Sequence, residues 1–434
     1  MGYVGMKINE DNGHEKLGFP GFMSTPVYYL ANPEDRLVLL DKAYRFGVAT
    51  YALEVDPIWI YTYDYAPDQS WTVYNQDMKD KSQDNYIFTQ QAYFRICIQK
   101  ADGSDFSGNE DINDIILYES QPSVPCEAKP WIKNEAKRIS DLITELRTKD
   151  DIVFAVITDS HYVINGTWQD TIDSVRLVSK AANLDGIIHL GDMTDGMVTK
   201  DATRYYAQKV MSDLKSCGAS AVYPTIGNHD TNYFRKNKQL LSNEEQRELY
   251  LSDIPGLNDN ETRYFVDFPR LRLIFLDSFD PDDKLRYGYS LGCTEWLRQT
   301  LSSLGSKQKA IIFSHLPPIT RLQFWAKALR GEKELINVLH DYKDRILAWV
   351  NGHNHADHID NEEGFPIISV ANAKCECFLE HKPEGFISPK RILGDVSQEL
   401  WDILLVNAKK GSLRFIRFGS GKDKMVADGK VAWL

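Results

Sequence analysis

The segment IVFAVITDSH, residues 152–161, decides the fold of the larger part of this chain. Its first six residues are all apolar, as in a strand that is buried on both faces. Asp159 and His161 follow where that strand must end. Open α/β sheets bind their ligands in the crevice beyond the carboxyl ends of their strands. The segment therefore predicts a central strand that leads into a binding site.

Four later segments repeat this arrangement, in which metal-binding side chains follow an apolar run. They are Gly191-Asp192-Met193-Thr194-Asp195 after GIIHL, Gly227-Asn228-His229-Asp230 after AVYPTI, Ser314-His315 after AIIF, and Gly352-His353-Asn354-His355 after ILAWV. A single D-x-H or G-D-x-x-D motif arises by chance, but the ordered series behind apolar strands is specific. Its carboxylate, imidazole and amide groups suit two divalent metal ions.

The spacing within these segments indicates how the side chains would converge. Asp159 and His161 are two residues apart, and an extended backbone would direct both to one side. The same holds for His353 and His355. Two cations about 3.5–4 Å apart need a bridging carboxylate, and Asp192 is the best candidate. Glycines at the turns would let ligand and backbone approach closely.

The region after residue 151 alternates apolar runs with helical periodicity, which predicts an α/β sandwich with a largely buried central sheet. Helices are predicted over about residues 171–183, 200–217, 244–250, 294–304 and 335–342. Further strands are predicted over 263–268 and 271–276, with a hairpin of 401–407 and 412–418.

Residues 1–125 have a different pattern, with short runs of β-branched and aromatic residues between turn residues. Strands are predicted over 26–30, 48–53, 58–63 and 93–98, with a hairpin turn at 101–104. This pattern predicts an all-β, sandwich-like or jelly-roll-like accessory domain. Residues 126–150 would be a linker and an amphipathic docking helix, and 151–434 the catalytic domain.

Composition limits the partners and the compartment. A formal net charge of −12 argues against nucleic acid or an acidic membrane as the main partner. No apolar run reaches the ~18 residues of a membrane helix, and the first residues do not have the pattern of a signal peptide. The six cysteines form no CxxC pair and are expected to be free thiols. We expect a cytoplasmic protein, or a secreted or surface protein if a signal had been removed.

The series D-x-H, G-D-x-x-D, G-N-H-D, H and G-H-x-H resembles the calcineurin-like metallophosphoesterase superfamily over about residues 150–420. The resemblance implies a four-layer αββα sandwich, preceded here by a β module that resembles no family we recognise. It implies a phosphoric ester hydrolase with two Mn, Fe or Zn ions. One metal would take Asp159, His161, Asp192 and His355, and the other Asp192, Asn228, His315 and His353.

The resemblance also implies roles in catalysis. His229 would donate a proton to the leaving group and would be oriented by Asp230, while Asp195 would support a ligand. The metals would activate a hydroxide for in-line attack on phosphorus. The G-N-H-D form and the complete ligand set favour phosphodiesters over phosphomonoesters.

Alternative interpretations remain open at this point. The enzyme could be a phosphomonoesterase. The aromatic residues before residue 125 could instead bind a carbohydrate or a cell-surface polymer, with the phosphoesterase domain as a scaffold, or they could fill a small β core. The intact ligands argue against a mere scaffold, because a buried cage of charges is costly.

Some residues near the motifs have a structural or an undecided role in this interpretation. His189 is expected to be a buried core histidine, His358 a solvated loop residue and Asp277 a structural carboxylate. The residues that follow the ligand segments could line the pocket or belong to loop surface: Tyr162, Asn165, Asn232, Tyr233 and Arg235.

Overall fold

A computed structural model provides the structure of the protein. It describes residues 3–8, 15–25, 28–51, 74–75, 85–120, 127–162, 166–196, 200–233, 239–257, 261–280, 282–323, 325–375 and 383–434. The strand predicted at 58–63 and residue 126, where the predicted linker begins, lie outside these residues. The chain forms two compact units, one up to Glu127 and the other, apart from residues 164–166, from Ala128 on.

The first unit consists of antiparallel strands and one short helix. Its elements are β1 (Tyr3–Ile8), β2 (Glu15–Ser24), β3 (Tyr29–Ala31), β4 (Arg36–Leu39), β5 (Tyr44–Tyr51), β6 (Tyr74–Asn75), β7 (Asn85–Ile87), β8 (Ala92–Lys100), α1 (Ile112–Ile115) and β9 (Ile116–Glu119). One sheet has the order β1-β2-β8-β5-β6, with β3 also paired to β8. The other has the order β7-β4-β9.

Both sheets of the first unit contribute to one apolar core. Leu37 of β4, Val48 of β5 and Phe94 of β8 belong to the same buried cluster. Phe88 lies 4.8 Å from Phe94 between ring centroids, within this core. Such aromatic residues fill the interior, as expected of a small β unit whose strands alternate buried and exposed faces.

The hairpin predicted at residues 101–104 is wrong. Gly103 N donates to Lys100 O at 3.0 Å, so the turn exists and ends β8. The next strand, β9, pairs with β4 instead of β8. Between them the chain turns into α1, whose first turn is capped by the Asp111 side chain. This cap gives the backbone a local hydrogen-bonding alternative to the sheet.

The second unit alternates helices and strands. Its first elements are α2 (Pro130–Leu146), β10 (Ile152–Ile157), α3 (Trp168–Ala182), β11 (Gly186–His189), α4 (Lys200–Lys215), β12 (Val222–Pro224), α5 (Asn243–Tyr250), β13 (Tyr264–Phe268), β14 (Leu271–Leu276) and α6 (Leu291–Ser302). They are followed by β15 (Lys309–Ser314), α7 (Glu332–Asp341), β16 (Ile346–Asn351), β17 (His358–Asp360), β18 (Ile367–Ser369), β19 (Leu400–Asn407), β20 (Ser412–Gly419), β21 (Lys424–Ala427) and β22 (Lys430–Trp433). Helix α2, predicted as part of a separate linker segment, belongs to this unit.

The described residues of the second unit form two large sheets, whereas the apolar pattern alone predicted one central sheet. The first has the order β12-β11-β10-β19-β20-β21-β22, and the second β13-β14-β15-β16-β18-β17. Their inner faces pack on each other, because Phe154 of β10 meets Phe268 of β13 edge to face at 5.4 Å. Helices α6 and α7 share a buried apolar cluster with strands of the second sheet. The unit therefore has the mixed α/β architecture with layered sheets that the sequence resemblance implied.

Some helix starts were predicted late because the first turn, with its cap, precedes the regular apolar pattern. Helix α6 begins at Leu291, three residues before the predicted residue 294, because Ser290 accepts a hydrogen bond from Cys293 N. Apolar periodicity marks the buried face of a helix and misses the cap. Among the described residues, no helix combines the length and the apolar character needed to cross a membrane.

A buried charge network lies behind the last strands and was not predicted. Arg417 of β20 binds Asp357 at 2.8 and 2.9 Å and Asp402 at 2.8 and 3.1 Å. Lys424 of β21 lies 3.0 Å from Asp402 and 3.3 Å from Asp357. All four side chains are almost fully buried. Two cations and two carboxylates in contact keep the network neutral, so each member is compensated.

We expect Arg417→Met to lower the free energy of unfolding by about 3–5 kcal/mol, because it leaves two buried carboxylates that share one remaining cation. Chemical denaturation would measure the loss. Arg414→Met is the matched control: Arg414 is on the same strand and forms no ion pair within the described residues. Equal losses in the two variants would contradict a stabilising role of the network.

The buried carboxyl group of Glu399 is expected to make the stability of the fold depend on pH. Burial raises the pKa of Glu399 from its ordinary value of 4.5 to about 7. As the pH rises between these values, the unfolded chain releases this proton before the folded protein does, so stability is lost. We expect Glu399→Gln, which can still accept the hydrogen bond from Thr171 Oγ1, to remove up to about 3 kcal/mol of this pH-dependent loss.

Thermal unfolding at about pH 5 and about pH 8 would check this expectation. The exposed Glu145→Gln is the control, since it removes a carboxylate without changing a buried one. An unchanged difference between the two pH values in Glu399→Gln would contradict the assignment.

Candidate metal centre

The predicted ligands come from the ends of parallel strands in both sheets of the second unit. Asp159, Asp192 and Asn228 follow β10, β11 and β12, which are neighbours in the first sheet. His315, His353 and His355 follow β15 and β16, which are neighbours in the second. The carboxyl ends of the parallel strands in each sheet thus supply part of one site.

The backbone at most of these ligands is left-handed, which the sequence analysis did not anticipate. Positive φ values between 37° and 68° occur at Asp159, His161, Asp192, His353 and His355. The expectation that the paired ligands lie in extended segments is therefore wrong. Each such residue costs roughly 1–2 kcal/mol. Strain of this kind persists where the surrounding structure enforces it and is concentrated at functional sites.

Hydrogen bonds between the ligand turns hold this conformation. Asp159 N donates to Gly191 O at 3.0 Å, and His161 N donates to Asp192 O at 3.0 Å. His353 N donates to Asp159 Oδ2 at 3.0 Å, which ties the second sheet to the first. The turns that carry the ligands therefore depend on one another.

Two of these turns require glycine, because neighbouring atoms leave no space for a Cβ atom. A Cβ atom on Gly227 would lie 2.1 Å from Asp192 Oδ1. A Cβ atom on Gly352 would lie 1.9 Å from Thr158 Oγ1 and 2.5 Å from Asp159 Oδ2. Any larger residue would push a ligand carboxylate out of place, as the sequence analysis expected of these glycines.

The first cluster contains Asp159, His161 and His355. The Nε2 atoms of the two histidines are 3.1 Å apart, and His355 Nε2 is 3.2 Å from Asp159 Oδ1. His161 Nδ1 lies 3.2 Å from Asp195 Oδ1. That carboxylate can accept a hydrogen bond from Nδ1–H. In this tautomer the Nε2 lone pair is directed at the cluster.

The second cluster contains Asp192, His315 and His353. His315 Nε2 lies 3.1 Å from Asp192 Oδ2 and 3.2 Å from His353 Nδ1. His315 Nδ1 lies 2.8 Å from Leu190 O, and a carbonyl oxygen can only accept, so this nitrogen carries the proton. Its Nε2 is therefore the atom available to the cluster.

The ionisation of the histidines suits metal binding. Burial and neighbouring histidines hold the pKa values of His161 and His353 well below their ordinary range, so both rings are neutral. Burial would lower the pKa of His315 too, but the carboxylates of Asp192 and Asp159 outweigh it and raise the value to about 9. A metal ion would have to displace that proton.

The geometry of the ligand residues suits coordination of metal ions better than hydrogen bonding among the residues themselves. Asp159 Oδ1 and Asn228 Oδ1 are buried and form no hydrogen bond within the described part of the chain. Facing imidazole nitrogens 3.1 and 3.2 Å apart match ligands of one ion, since bonds of about 2.0–2.1 Å place ligands about 3.0–3.4 Å apart. Buried polar atoms without partners are rare and need an explanation, and metal coordination supplies one.

Asp192 lies between the two clusters. Its Oδ2 is 3.1 Å from His315 Nε2 in the second cluster and 3.7 Å from His161 Nε2 in the first. Burial alone would raise the pKa of Asp192, but His315 and His229 outweigh it and lower the value, so the group is a carboxylate. This position is the one that a bridging ligand needs.

His229 faces the same carboxylate from another side. Its Nε2 lies 4.0 Å from Asp192 Oδ2, and its Nδ1 lies 2.6 Å from the carbonyl oxygen of Asp195. Asp230 does not orient it, contrary to the expectation: the Asp230 carboxylate accepts backbone N–H groups of Gly227 and Met193 at 2.9 and 2.8 Å. Asp230 instead fixes the turns that carry Asp192 and Asn228, and burial with nearby Asp192 raises its pKa to about 7.

Sequence analysis missed two residues at the centre. Lys374 is buried beside Asp195, and Trp325 donates its indole N–H to His353 O at 2.9 Å. Lys374 follows the end of β18, so its position after an apolar strand was the signal available. Trp325 lies in an irregular segment that no pattern connects to the ligands.

The remaining residues near the motifs have structural partners. His189 is fully buried, with Ser160 Oγ 2.7 Å from its Nε2, and burial lowers its pKa to about 3. Asp277 accepts a hydrogen bond from Thr262 at 2.5 Å. His358 is half-buried on β17 and stacks on Phe386 at 4.2 Å, so the prediction of a solvated loop residue is wrong.

Two of the residues that follow the ligand segments are buried rather than loop surface. Tyr162 is 4% exposed, and Asn232 binds Thr203 and Gln239 through its side chain. Tyr233 is half-buried against Phe279. Asn165 and Arg235 lie outside the described residues. Among the cysteines that the structure describes, four are buried thiols outside any disulfide, as expected: Cys97, Cys217, Cys293 and Cys375.

Comparison with known proteins identifies the domain. A model of the calcineurin-like phosphoesterase family matches residues 152–357. These residues belong to that family. The calcineurin-like domain is also similar to the manganese-dependent ADP-ribose/CDP-alcohol diphosphatase of Arabidopsis thaliana, with 25% identity over 42% of this chain and 68% of the relative. The chain is accordingly a metal-dependent phosphoric ester hydrolase.

Similar solved structures include a dimetal phosphatase from Danio rerio. It shares 17% identity, covers 64% of this chain and 98% of its own, and has a TM-score of 0.49. GAP50 of the inner membrane complex of Plasmodium shares 14% identity, covers 65% of this chain and 88% of its own, and has a TM-score of 0.41.

We expect Asp192→Asn to reduce the manganese bound at saturation from about two ions to one or none, because a neutral amide cannot hold two cations together. Metal analysis after dialysis and the rise in melting temperature on adding Mn²⁺ would measure this. Asp277→Asn is the control, since Asp277 also follows a strand end but lies outside both clusters. Unchanged stoichiometry in Asp192→Asn would exclude a bridging role.

Proposed function

We propose that this calcineurin-like domain hydrolyses phosphodiesters, including diphosphates in which each phosphorus carries an ester substituent. The position of Asp192 supports this most directly, because its carboxylate faces both clusters and His229 Nε2. The proposed ligands are Asp159, His161, Asp192, Asn228, His315, His353 and His355, in the two sets given above. The placement of Asn228 is supported by its buried, unpaired Oδ1 at the end of β12.

Bound metal ions would supply a hydroxide nucleophile at neutral pH and neutralise the phosphoryl oxygens. His229 and Asp195 would assist the departure of the leaving group. The Asp195 carbonyl fixes the proton of His229 on Nδ1, so Nε2 is the atom that faces the site. As an imidazolium, His229 donates the Nε2 proton to the leaving oxygen and prevents an alkoxide or phosphate from leaving with an extra charge.

A similar protein supports the preference for phosphodiesters over phosphomonoesters. The diphosphatase named above is itself an enzyme for diphosphates with an ester on each phosphorus, which agrees with this substrate class.

The first test compares bis-p-nitrophenyl phosphate with p-nitrophenyl phosphate, using the manganese-loaded protein and Asp192→Ala. We expect a diester preference of at least about tenfold and its loss in the variant, because the variant lacks the bridging ligand. Preference for the monoester would establish the alternative, a phosphomonoesterase.

Carbohydrate binding by the first unit is not supported by any contact of its described aromatic residues, and we do not propose it.

The second test separates His229 from the ligands. We expect His229→Ala to lower kcat about 10²–10⁴-fold on ADP-ribose or an alkyl diester, whose leaving groups need a proton. On bis-p-nitrophenyl phosphate the loss should be below about tenfold, since nitrophenolate leaves without one. His340→Ala is the control, because that histidine pairs with Glu363 on the surface. Equal losses on both substrates would point to a structural or ligand role.

A further inference from the structure

Lys374 is a buried cation at the metal centre whose donors are almost unused. Its side chain is 6% exposed, and its Nζ lies 3.8 Å from Asp195 Oδ1. That distance is beyond a hydrogen bond, and no described acceptor lies closer. A lysine ammonium has three donors and is rarely buried unless they are satisfied. An almost buried ammonium that has one long ion pair and no side-chain hydrogen bond within the described residues therefore suits an anionic ligand that arrives from outside the chain.

The backbone around Lys374 is fixed against the turn that carries Asp159. Ala373 N donates to Thr158 O at 2.8 Å, and Lys374 N donates to Asp159 O at 3.3 Å. The Lys374 carbonyl oxygen accepts from Asn372 Nδ2 and Arg391 Nη1, each at 2.7 Å. Because the main chain is held at both ends of the residue, the point from which the lysine side chain extends is set before any ligand binds.

Asp195 connects this ammonium to His229. The Asp195 carbonyl oxygen is 2.6 Å from His229 Nδ1, and its carboxylate Oδ1 is 3.2 Å from His161 Nδ1 and 3.8 Å from Lys374 Nζ. His229 is the proposed proton donor to the leaving oxygen. The ammonium and the proposed acid therefore both adjoin Asp195 at the metal centre.

We propose that Lys374 binds the phosphoryl group of the leaving half of the substrate and so selects diphosphates over simple diesters. This inference rests on the proposed function above. Hydrolysis of a diphosphate breaks the bond between the attacked phosphorus and the bridging oxygen, and the leaving half departs as a phosphate monoester. The ammonium donates charge-assisted hydrogen bonds to the non-bridging oxygens of that phosphate. A simple diester has no such oxygens on its leaving group and gains nothing from Lys374.

The experiment compares Lys374→Met, Lys374→Arg and the control Lys137→Met with the unchanged protein. Lys137 forms an exposed ion pair with Asp141 within α2, a helix that carries none of the proposed ligands. We expect Lys374→Met to lower kcat/KM on ADP-ribose about 10–100-fold and on bis-p-nitrophenyl phosphate less than about threefold. Lys374→Arg should recover part of the loss, since it keeps the charge.

A binding measurement tests the same contact without turnover. We expect calorimetry with AMP, a phosphate monoester like the leaving half, to show about 10–100-fold weaker binding to manganese-loaded Lys374→Met. Manganese content should stay unchanged. Equal losses on both substrates, unchanged AMP affinity, or lost manganese would each overturn the proposal, the last because Lys374 would then act through Asp195 on the ligand His161. Absence of hydrolysis of both ADP-ribose and bis-p-nitrophenyl phosphate by the unchanged protein would instead overturn the proposed function.

Discussion

The metal clusters depend on the face-to-face packing of two sheets. Asp159 and Asp192 end strands of one sheet, while His315, His353 and His355 follow strands of the other. Neither sheet carries a complete cluster, so the packing of the two sheets is needed to bring the ligands together. The aromatic contact between Phe154 and Phe268 is part of that packing. Since packed interiors adjust little, the sheet interface fixes distances at the centre.

The centre combines several unfavourable features that the rest of the domain offsets. Five of its residues have left-handed backbones, and its carboxylates are buried. Backbone N–H groups on the Asp230 carboxylate and the hydrogen bond from His353 N to Asp159 Oδ2 hold these turns in place. A site of this kind is less stable without its ligands, because buried polar atoms stay unpaired until something coordinates them.

Asp195 contacts the residues that we propose to bind metal, donate the proton and bind the substrate. Its carbonyl fixes the tautomer of His229, and its carboxylate lies beside both His161 and Lys374. One residue thereby couples a proposed ligand, a proposed acid and a proposed phosphate contact. The Arg417 network has a different character: it is neutral and fully paired, and it anchors Asp357, two residues beyond His355, to the strands behind the site.

The sequence by itself determined the strands that precede the ligand motifs, their order, the residues that follow them and the resemblance to the family, because apolar runs and ligand motifs are local patterns. It predicted the positions of Asp192 and His315 at strand ends, but not the left-handed turns, which depend on hydrogen bonds between distant segments. Only the tertiary structure showed that Asp195 and not Asp230 holds His229, and that Lys374 reaches the centre. These contacts join residues far apart in the chain or across a turn, and neither spacing nor periodicity encodes which side-chain atoms meet.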